Sequence, residues 1–345
     1  MEQWYWYQPL SGGTVRLLRV FGRDARVTIP RQVAGGEVVE IGDYCFSEKE
    51  PGEECRICSD RAEFPQDKAS AGMGVREESP RNQSFVRMCE REGLFSLAGR
   101  NITQVELPDS ITKIGNFAFY QCRELEKITL GTEMIDIGSD AFMNCRRIGE
   151  FYFRGSPEGG SCLRQILAQR NGETSVYFVE RGQVQAALVY PEYWEHYDLI
   201  GPAHIFELNI QGEGFRARQC FQNGRVDFEA YDRIFALECG EESADTLCRM
   251  AYSRLLYPVQ LQERERKLYE EYVSGNIAVA CGNLVRERNF PGIQKLFQIG
   301  ILGSSGLQDC LERAVSMNWT EGVRQLLSLK EGEKKEGTEY GFKDF

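Results

Sequence analysis

The side chains with the clearest potential for chemistry are two cysteines spaced three residues apart. Cys55 and Cys58 form a C-x-x-C motif, which can supply half of a zinc site or the two thiols of a redox pair. A closed zinc site needs four ligands, but no second pair and no histidine lies nearby, and Cys89 stands alone. A thioredoxin-like motif needs a βαβ context, which is missing here. We therefore expect plain thiols with no metal and no cofactor, and keep Cys55 and Cys58 as weak candidates for metal ligands.

A second motif, in residues 212–217, formally fits the G-x-G-x-x-A fingerprint of dinucleotide-binding folds. That fingerprint needs a helix that begins at the glycines and directs its N-terminus at a pyrophosphate. Residues 215–221 instead alternate in polarity and precede the turn signal Asn223-Gly224, which favours a β-hairpin. In such a hairpin Arg216 and Arg218 share one face, either as solvated side chains or as a site for an acidic partner.

Other residue types offer little catalytic chemistry. The two histidines, His196 and His204, lie among aromatic and apolar neighbours, as structural histidines commonly do. The chain has no P-loop, no H-E-x-x-H and no G-x-S-x-G motif, which removes the common signatures of nucleotide, metalloprotease and hydrolase sites. We predict that the protein is not an enzyme. An enzyme is the third hypothesis, and it requires a deep polar pocket in residues 156–255, lined by Arg216 and His204.

Composition is ordinary for a globular protein and disfavours two classes of partner. The 345 residues allow two or three domains, and 42% of them are hydrophobic and 27% charged, as in average proteins. The net charge of −11 disfavours nucleic acid and anionic membranes, because a protein binds both largely by neutralising their negative charge. No apolar run reaches the length of a membrane span. We expect a protein partner, not nucleic acid and not a membrane.

The N-terminus and the cysteines both bear on cellular location. Residues 1–9 lack the basic and then apolar order of a secretory signal, so we expect a cytoplasmic protein if this start is the native one. A misassigned start would instead indicate a surface or secreted protein. The chain has twelve cysteines, and we expect mainly reduced core thiols, because disulfide frameworks belong to small secreted chains.

The elements that position these residues follow a repeat of 23 residues. Residues 114–122 (I-G-N-F-A-F-Y-Q-C) and 137–145 (I-G-S-D-A-F-M-N-C) share Ile, Gly, Ala, Phe and Cys at a constant offset (137 − 114 = 23). A period in the low twenties is typical of solenoids, in which each coil packs on the next because a single coil cannot bury its own apolar face. We expect Gly115 and Gly138 at turns, because glycine adopts dihedral angles that other residues resist.

Within each repeat, alternation predicts a half-buried strand and the i, i+1, i+4, i+7 spacing predicts a short helical turn. The residues that this pattern directs inward form the expected core: Ile114, Phe119, Cys122, Leu125, Ile128, Leu130, Ile137, Phe142, Cys145, Ile148, Phe151 and Phe153. The residues that it directs outward are the candidate binding residues: Gln104, Lys127 and Glu150 in one row, and Glu106, Thr129 and Tyr152 in the parallel row. A solvated row without a partner is the alternative.

The pattern I-G-x-x-A-F-x-x-C-x-x-L-x-x-I-x-L resembles the BspA-type leucine-rich repeat, a bacterial family, over residues 15–46 and 102–153. Residues 107–112 (L-P-D-S-I-T) are similar to that family's L-P-x-S-V-T turn. The resemblance implies a curved solenoid that contacts a protein or another ligand, and it implies no catalysis. Many relatives are large secreted or surface proteins with long repeat arrays, whereas this chain has few repeats and additional domains.

We predict an α/β solenoid in residues 1–155, followed by a small α+β module and a helical C-terminal region. A loop-rich insertion at about residues 47–100 interrupts the solenoid. Residues 156–255 form the α+β module with two hairpins, residues 256–330 form helical hairpins, and residues 331–345 form a mobile tail. The helical part resembles degenerate ankyrin repeats, because residues 292–297 and 322–327 match at an offset of 30 (322 − 292 = 30).

An aromatic cluster opens the chain: Trp4, Tyr5, Trp6 and Tyr7. It either caps the exposed end of the solenoid, which repeat arrays need for solubility, or forms a platform on which a ligand stacks. Taken together, these patterns indicate a cytoplasmic scaffold that binds an unidentified protein partner through its leucine-rich repeats. An exported, adhesin-like binding protein is the alternative.

The repeat makes a direct prediction about stability. Phe119 and Phe142 are expected to stack in adjacent coils, so Phe119→Ala should lower the free energy of unfolding by about 3–5 kcal/mol, the usual cost of truncating a core aromatic residue. Thermal or urea denaturation of the purified protein measures this change. A melting curve identical to that of the wild type would contradict the stacking.

Overall fold

The structure is a computed structural model that describes residues 3–52, 55–59, 80–132, 136–200, 205–212, 214–238 and 242–339. The chain divides into two compact units. The first consists of Met1–Gly182 and Phe221–Arg225, and the second of Gln183–Cys220 and Val226–Phe345. The expected mobile tail, residues 331–345, lies outside the described residues from residue 340 onward, and so do His204 and residues 60–79 of the insertion.

The strands, in chain order, are β1 (Trp4–Pro9), β2 (Thr14–Gly22), β3 (Arg26–Thr28), β4 (Gln32–Val33), β5 (Gly36–Ile41), β6 (Arg56–Ser59), β7 (Phe95–Ser96), β8 (Gln104–Glu106), β9 (Lys113–Ile114), β10 (Lys127–Gly131), β11 (Asp136–Ile137), β12 (Glu150–Arg154), β13 (Thr174–Glu180), β14 (Gln183–Tyr190), β15 (Trp194–Ile200), β16 (Ile205–Gln211), β17 (Phe221–Gln222) and β18 (Arg225–Val226). The helices are α1 (Pro80–Glu92), α2 (Leu163–Leu167), α3 (Gly214–Ala217), α4 (Phe228–Glu238), α5 (Ala244–Leu256), α6 (Glu263–Gly275), α7 (Ile277–Arg286), α8 (Phe290–Gln298), α9 (Ser304–Ser316) and α10 (Thr320–Glu339).

Two sheets build the first unit. The first sheet is mixed and runs in the order β11-β9-β5-β2-β1-β6, with β4 paired to β5 and β7 paired to β2. Its β2, β5, β9 and β11 are parallel, whereas β1 is antiparallel to both β2 and β6. The second sheet contains the parallel ladder β3-β8-β10-β12-β13. Each repeat supplies one strand to each parallel ladder, so the first unit has a repeat fold.

The 23-residue offset is the register of these ladders. Val105 pairs with Ile128, which pairs with Phe151 in the next strand. Every residue of the expected core is buried, including Phe119 and Phe142, whose rings stack with centroids 5.3 Å apart and planes 8° apart. Thus equivalent side chains of successive repeats lie directly on one another.

The cysteines of the repeat bind backbone as well as filling space. Cys122 Sγ donates to the carbonyl of Phe46 at 3.0 Å, and Cys145 Sγ donates to that of Phe119 at 2.9 Å. Burial raises the pKa of Cys122 well above its usual value and that of Cys45 to about 12. The thiols of Cys45 and Cys122 therefore stay protonated at neutral pH and serve as core residues.

The repeat glycines have a different role from the expected one. Neither Gly115 nor Gly138 has a positive φ; the structure puts the left-handed conformation two residues later, at Phe117 and Asp140, with φ of 54° and 52°. The glycines instead allow backbones to approach closely. A Cβ on Gly138 would lie 2.5 Å from the amide nitrogen of Asn116 and 2.5 Å from the carbonyl carbon of Gly115, far inside normal contact.

The described part of the insertion is structured and covers the opening aromatic cluster, which differs from the expected long loop. Strand β6 pairs with β1, and Phe85 of α1 packs edge to face on Trp4 and Phe21, with centroid separations of 5.6 and 5.0 Å. Trp4, Tyr5, Trp6 and Tyr7 are all buried. Because the insertion occupies the space around the rings of Trp4 and Trp6, they do not form an open platform for a ligand.

The far end of the repeat region is closed by the segment around α2. Gln165 Oε1 accepts from the amide of Ile137 at 3.0 Å, and Gln169 Nε2 donates to the carbonyl of Gly138 at 3.0 Å. Arg170 donates to the carbonyls of Cys145 and Ile148. These side chains satisfy backbone groups at the end of the ladder that another repeat would otherwise satisfy.

The expected boundary at residue 155 differs from the observed division. Strand β13 continues the parallel ladder in register with β12, with Tyr152 opposite Tyr177, so the first unit extends to Gly182. The expected second hairpin over residues 215–224 is only partly present. Residues 214–217 form helix α3, and the strands beside Asn223-Gly224 shrink to β17 and β18.

The second unit is mainly helical and is held by a buried ion pair. Arg254 of α5 donates to both carboxylate oxygens of Asp232 in α4, at 2.6 and 2.9 Å. Tyr269 of α6 donates to the same carboxylate at 2.8 Å. Arg254 is fully buried, and a buried charge pair of this kind is tolerated only when its hydrogen bonds are satisfied. The pair therefore fixes three helices relative to one another.

Helices α7 to α10 follow the expected 30-residue offset. Arg288 and Asn318, just after α7 and α9, are left-handed with φ of 53° and 54°. Leu296 of α8 and Leu326 of α10 are both buried. The region thus consists of similar helix pairs joined by similar turns.

The close backbone approach predicts a large effect of one added methyl group. Gly138→Ala should lower the free energy of unfolding by about 1–3 kcal/mol, the usual cost of overpacking, because the Cβ meets backbone that cannot rotate away. Urea denaturation measures the change. Gly160→Ala is the matched control, since a Cβ there has no atom within 4 Å. Equal stabilities of the two variants would contradict this role of Gly138.

Candidate binding surface

The exposed side of the second sheet is the candidate binding surface, and we call it the strand face. It consists of two rows of outward residues in register: Arg26, Gln104, Lys127 and Glu150, and Thr28, Glu106, Thr129, Tyr152 and Tyr177. Ser175, the register partner of Glu150 in β13, is buried. All six residues expected in the outward rows therefore lie on one face. Alternation along each strand produces this arrangement, because neighbouring residues point to opposite sides of a sheet.

Tyr152 is the centre of a compact cluster on the strand face. The ring of Tyr177 stacks on it with centroids 4.6 Å apart and planes 20° apart. Lys127 Nζ lies 3.7 Å from the Tyr152 ring centroid, a cation–π distance. The Tyr152 hydroxyl donates to the carboxylate of Glu150 at 3.2 Å. Tyr152 is thus half-buried by its neighbours and held in one orientation.

A second group of contacts orders the adjacent edge of the strand face. Arg154 Nε donates to Asp109 at 2.7 Å, its Nη1 donates to Glu106 at 3.0 Å, and its Nη2 donates to the carbonyl of Leu107. Thr28 Oγ1 donates to the other oxygen of Glu106 at 3.4 Å. Arg154 therefore joins the repeat of β12 to that of β8, across the intervening strand β10, and fixes the position of the Glu106 carboxylate.

The sequence patterns did not predict several of these residues. Asp109 lies beyond the end of β8, and Arg154 is the last residue of β12; the outward rows expected from the sequence include neither residue. Tyr177 follows Tyr152 by 25 residues (177 − 152 = 25), so the constant offset misses it. The alternation of residues 176–179 predicts the first strand of a hairpin with residues 184–190, and β13 and β14 are such neighbouring strands. The place of β13 beside β12 did not follow from the sequence.

The other candidate residues do not join the strand face. Arg216 is exposed on α3, whereas Arg218 is buried and donates to the carbonyls of Pro191 and Gly214. The prediction that Arg216 and Arg218 share one face is wrong, because residues 214–217 are helical and Arg218 is a structural residue. The third candidate of that region, His204, lies outside the described residues.

The C-x-x-C cysteines face different surroundings. Cys55 packs against the aromatic cluster around Trp6, whereas Cys58 in β6 pairs with Tyr5, three residues further along an extended chain and so on the opposite side. Among the residues that the structure describes, no group of three His, Cys, Asp or Glu side chains is placed to hold a metal ion.

A polar cavity of about 390 Å³ lies on the first sheet and not on the strand face. A row of alternating charge crosses it: Arg16, Glu40, Lys113 and Asp136 are register partners in β2, β5, β9 and β11. Arg16 Nε lies 2.7 Å from Glu40, and Lys113 Nζ lies 3.9 Å from Asp136. None of the residues that line it belongs to the range 156–255 required by the enzyme hypothesis.

These parallel ladders and their recurring residues form the repeat region of the first unit. Residues 92–158 match the family model described as BspA type Leucine rich repeat region (6 copies), so this segment is a BspA-type leucine-rich repeat region. The register of β3 with β8 and of β5 with β9 extends the same ladders toward the N-terminus.

The chain is similar to the structure of a leucine rich cell surface protein from Faecalibacterium prausnitzii A2-165, with 22% identity over 43% of this chain and 31% of that chain and a TM-score of 0.25. No curated protein matches the chain. In the described part of the chain, every helix is too short or too polar to cross a membrane.

The contacts of Arg154 predict a measurable stabilisation. Arg154→Ala should lower the free energy of unfolding by about 1–2 kcal/mol, because two ion pairs and a hydrogen bond to a backbone carbonyl are lost together. Urea denaturation measures this change, with Arg123→Ala at an exposed position as the control. A loss no larger than that of the control would show that the Arg154 contacts contribute nothing.

Proposed function

We propose that this chain is a non-catalytic interaction protein whose repeat region binds a protein partner through the strand face. The observation that carries the proposal is the ordered cluster of Tyr152, Tyr177 and Lys127 near one end of that face. Aromatic residues are enriched among the few residues that dominate binding energy. Because these rings are already held in place, a partner would lose little side-chain entropy by contacting them.

The proposed function also involves the shape of the repeat region and a second candidate surface on helices α7 to α10. We infer that the two parallel ladders form a short curved solenoid, as leucine-rich repeats generally do. We also infer that α7 to α10 are ankyrin-like helical pairs, supported by the equivalent left-handed residues Arg288 and Asn318. Two repeat-type regions in one chain favour a scaffold that bridges two proteins.

The cellular setting has two candidates. The first is a scaffold that acts in the cytoplasm. An exported, adhesin-like protein is favoured by the BspA-type match in residues 92–158, since members of that family occur at the cell surface. Fractionation of the native cell, followed by immunoblotting of each fraction, separates these two candidates.

The strand face is tested by affinity capture with matched variants. The wild-type chain, Tyr152→Ala and Lys127→Glu each serve as bait in a lysate of the native cell, and mass spectrometry quantifies the bound proteins. Arg123→Glu is the control, because it makes the same change of charge at an exposed position. The partner identified in this way is then titrated calorimetrically against every variant.

We expect Tyr152→Ala and Lys127→Glu to weaken binding at least about tenfold, the minimum expected of a residue that dominates an interface. Tyr152→Phe should bind nearly as well as wild type, since it keeps the stack on Tyr177 and loses only the hydrogen bond to Glu150. Unchanged affinity of both disruptive variants would show that another surface binds the partner.

A further inference from the structure

A ladder of aromatic rings lies on the turns that follow the first sheet, away from the strand face. Tyr44 and Phe117 each stand two residues after the repeat glycine, and their rings stack with centroids 5.3 Å apart and planes 6° apart. Tyr120 meets Phe117 edge to face at 5.8 Å. Lys49 Nζ lies 4.1 Å from the Tyr44 ring centroid. We call Tyr44, Phe117 and Tyr120 the aromatic ladder.

The conformation of the aromatic ladder is costly for the backbone. Tyr44 and Phe117 have φ of 58° and 54°, a left-handed conformation that costs about 1–2 kcal/mol for a bulky L residue. Stacking of the two rings stabilises the fold by about 0.5–1.5 kcal/mol, and both rings are only half-buried. Glycine or asparagine would suit these turns better. The rings are therefore not explained by the folding of the turn alone.

The next repeat replaces the ring by a carboxylate. Asp140 stands two residues after Gly138 with the same left-handed φ of 52°, and it is exposed. Its carboxylate forms no ion pair with any residue in the described ranges. Phe117 thus has the Tyr44 ring on one side and the repeat that carries Asp140 on the other, with the amide of Phe117 bonded to the carbonyl of Ser139 at 3.0 Å.

The surroundings of this position are acidic. The polar cavity next to it is lined by three carboxylates, Glu40, Asp43 and Asp136, and by two basic residues, Arg16 and Lys113. The Arg16 guanidinium is already paired with Glu40 at 2.7 Å. The chain as a whole has a net charge of −11. A basic ligand is therefore favoured both locally and at long range.

We propose that Phe117 and Asp140 together bind a cationic side chain, arginine above all, from a basic segment of a protein partner. The guanidinium stacks on the exposed part of the half-buried Phe117 ring while its N–H groups donate to the Asp140 carboxylate. A planar guanidinium can lie flat on the ring while two of its N–H groups bind both carboxylate oxygens, whereas an ammonium offers only a compact point charge to each. Lys49 over Tyr44 is the same kind of contact made within the chain. This surface is distinct from the strand face and does not depend on it.

The test uses a fluorescein-labelled peptide of alternating glycine and arginine, titrated with the full-length protein at physiological ionic strength and followed by fluorescence anisotropy. The variants are Phe117→Asn, Asp140→Asn and Asp140→Lys. Asparagine is chosen at position 117 because it tolerates a left-handed φ. Glu90→Lys, at an exposed position in α1, is the control with the same change of charge as Asp140→Lys. Thermal melting confirms that each variant is folded.

We expect Phe117→Asn and Asp140→Asn each to weaken binding of the peptide about threefold to tenfold, and Asp140→Lys to weaken it further. Glu90→Lys should change the affinity by about twofold at most, because distant charges are screened at this ionic strength. A lysine peptide of the same length should bind more weakly than the arginine peptide, since an ammonium is not planar and cannot combine flat stacking with a bidentate carboxylate pair.

Equal weakening by Glu90→Lys and Asp140→Lys would overturn the proposal, since it would mean that only net charge attracts the peptide. Unchanged binding by Phe117→Asn would also overturn it. Should Phe117→Asn fail to fold, the comparison of Asp140→Lys with Glu90→Lys still decides the question. Lys127→Glu on the strand face should leave peptide binding unchanged, so this proposal and the proposed function can fail separately.

Discussion

Where Gly42, Gly115 and Gly138 follow one another, backbones of successive repeats come so close that a Cβ on Gly115 would lie 2.6 Å from the amide nitrogen of Asp43. This spacing is that of neighbouring β-strands. It brings every equivalent position of the repeats into direct contact, so that Phe46 stacks on Phe119 with centroids 4.9 Å apart. The apolar core, the equivalent cysteines Cys122 and Cys145, and both candidate surfaces depend on this one constraint.

The same spacing explains the polar order of the turns. The side chain of Asp43 accepts from the amide of Asn116 at 2.7 Å, and the side chain of Asn116 accepts from the amide of Ser139 at 2.9 Å. A short polar residue after each repeat glycine thus satisfies the backbone of the next repeat. The second unit is held in a different way. The buried ion pair of Asp232 and Arg254 orients helices α4, α5 and α6. There, desolvated charge and not a repeated backbone spacing determines the packing.

Prediction from the sequence succeeded where one local rule repeats. The alternation around Ile128 and Phe151 determined which residues are buried, and the constant offset determined which of them meet. It failed where contacts join segments that share no period. Tyr177 was missed because it follows Tyr152 by 25 residues and not by the constant 23. Arg154 was missed because its partners lie in another repeat, that of β8. Arg218 was misplaced because the alternating residues 215–221 begin as helix α3, where their side chains no longer share one face.

By itself, the sequence determined the repeat and its inward and outward rows, because periodic apolar side chains can be buried in only one phase. It also carried the BspA-type resemblance of residues 15–46 and 102–153. The tertiary structure alone decided that Phe85 covers the opening tryptophans and that Tyr177 and Lys127 enclose Tyr152. It also decided that Asp140 follows the rings of Tyr44 and Phe117 in space. These are contacts between distant parts of the chain, and they depend on register and on the path of the insertion, which local residue patterns do not specify.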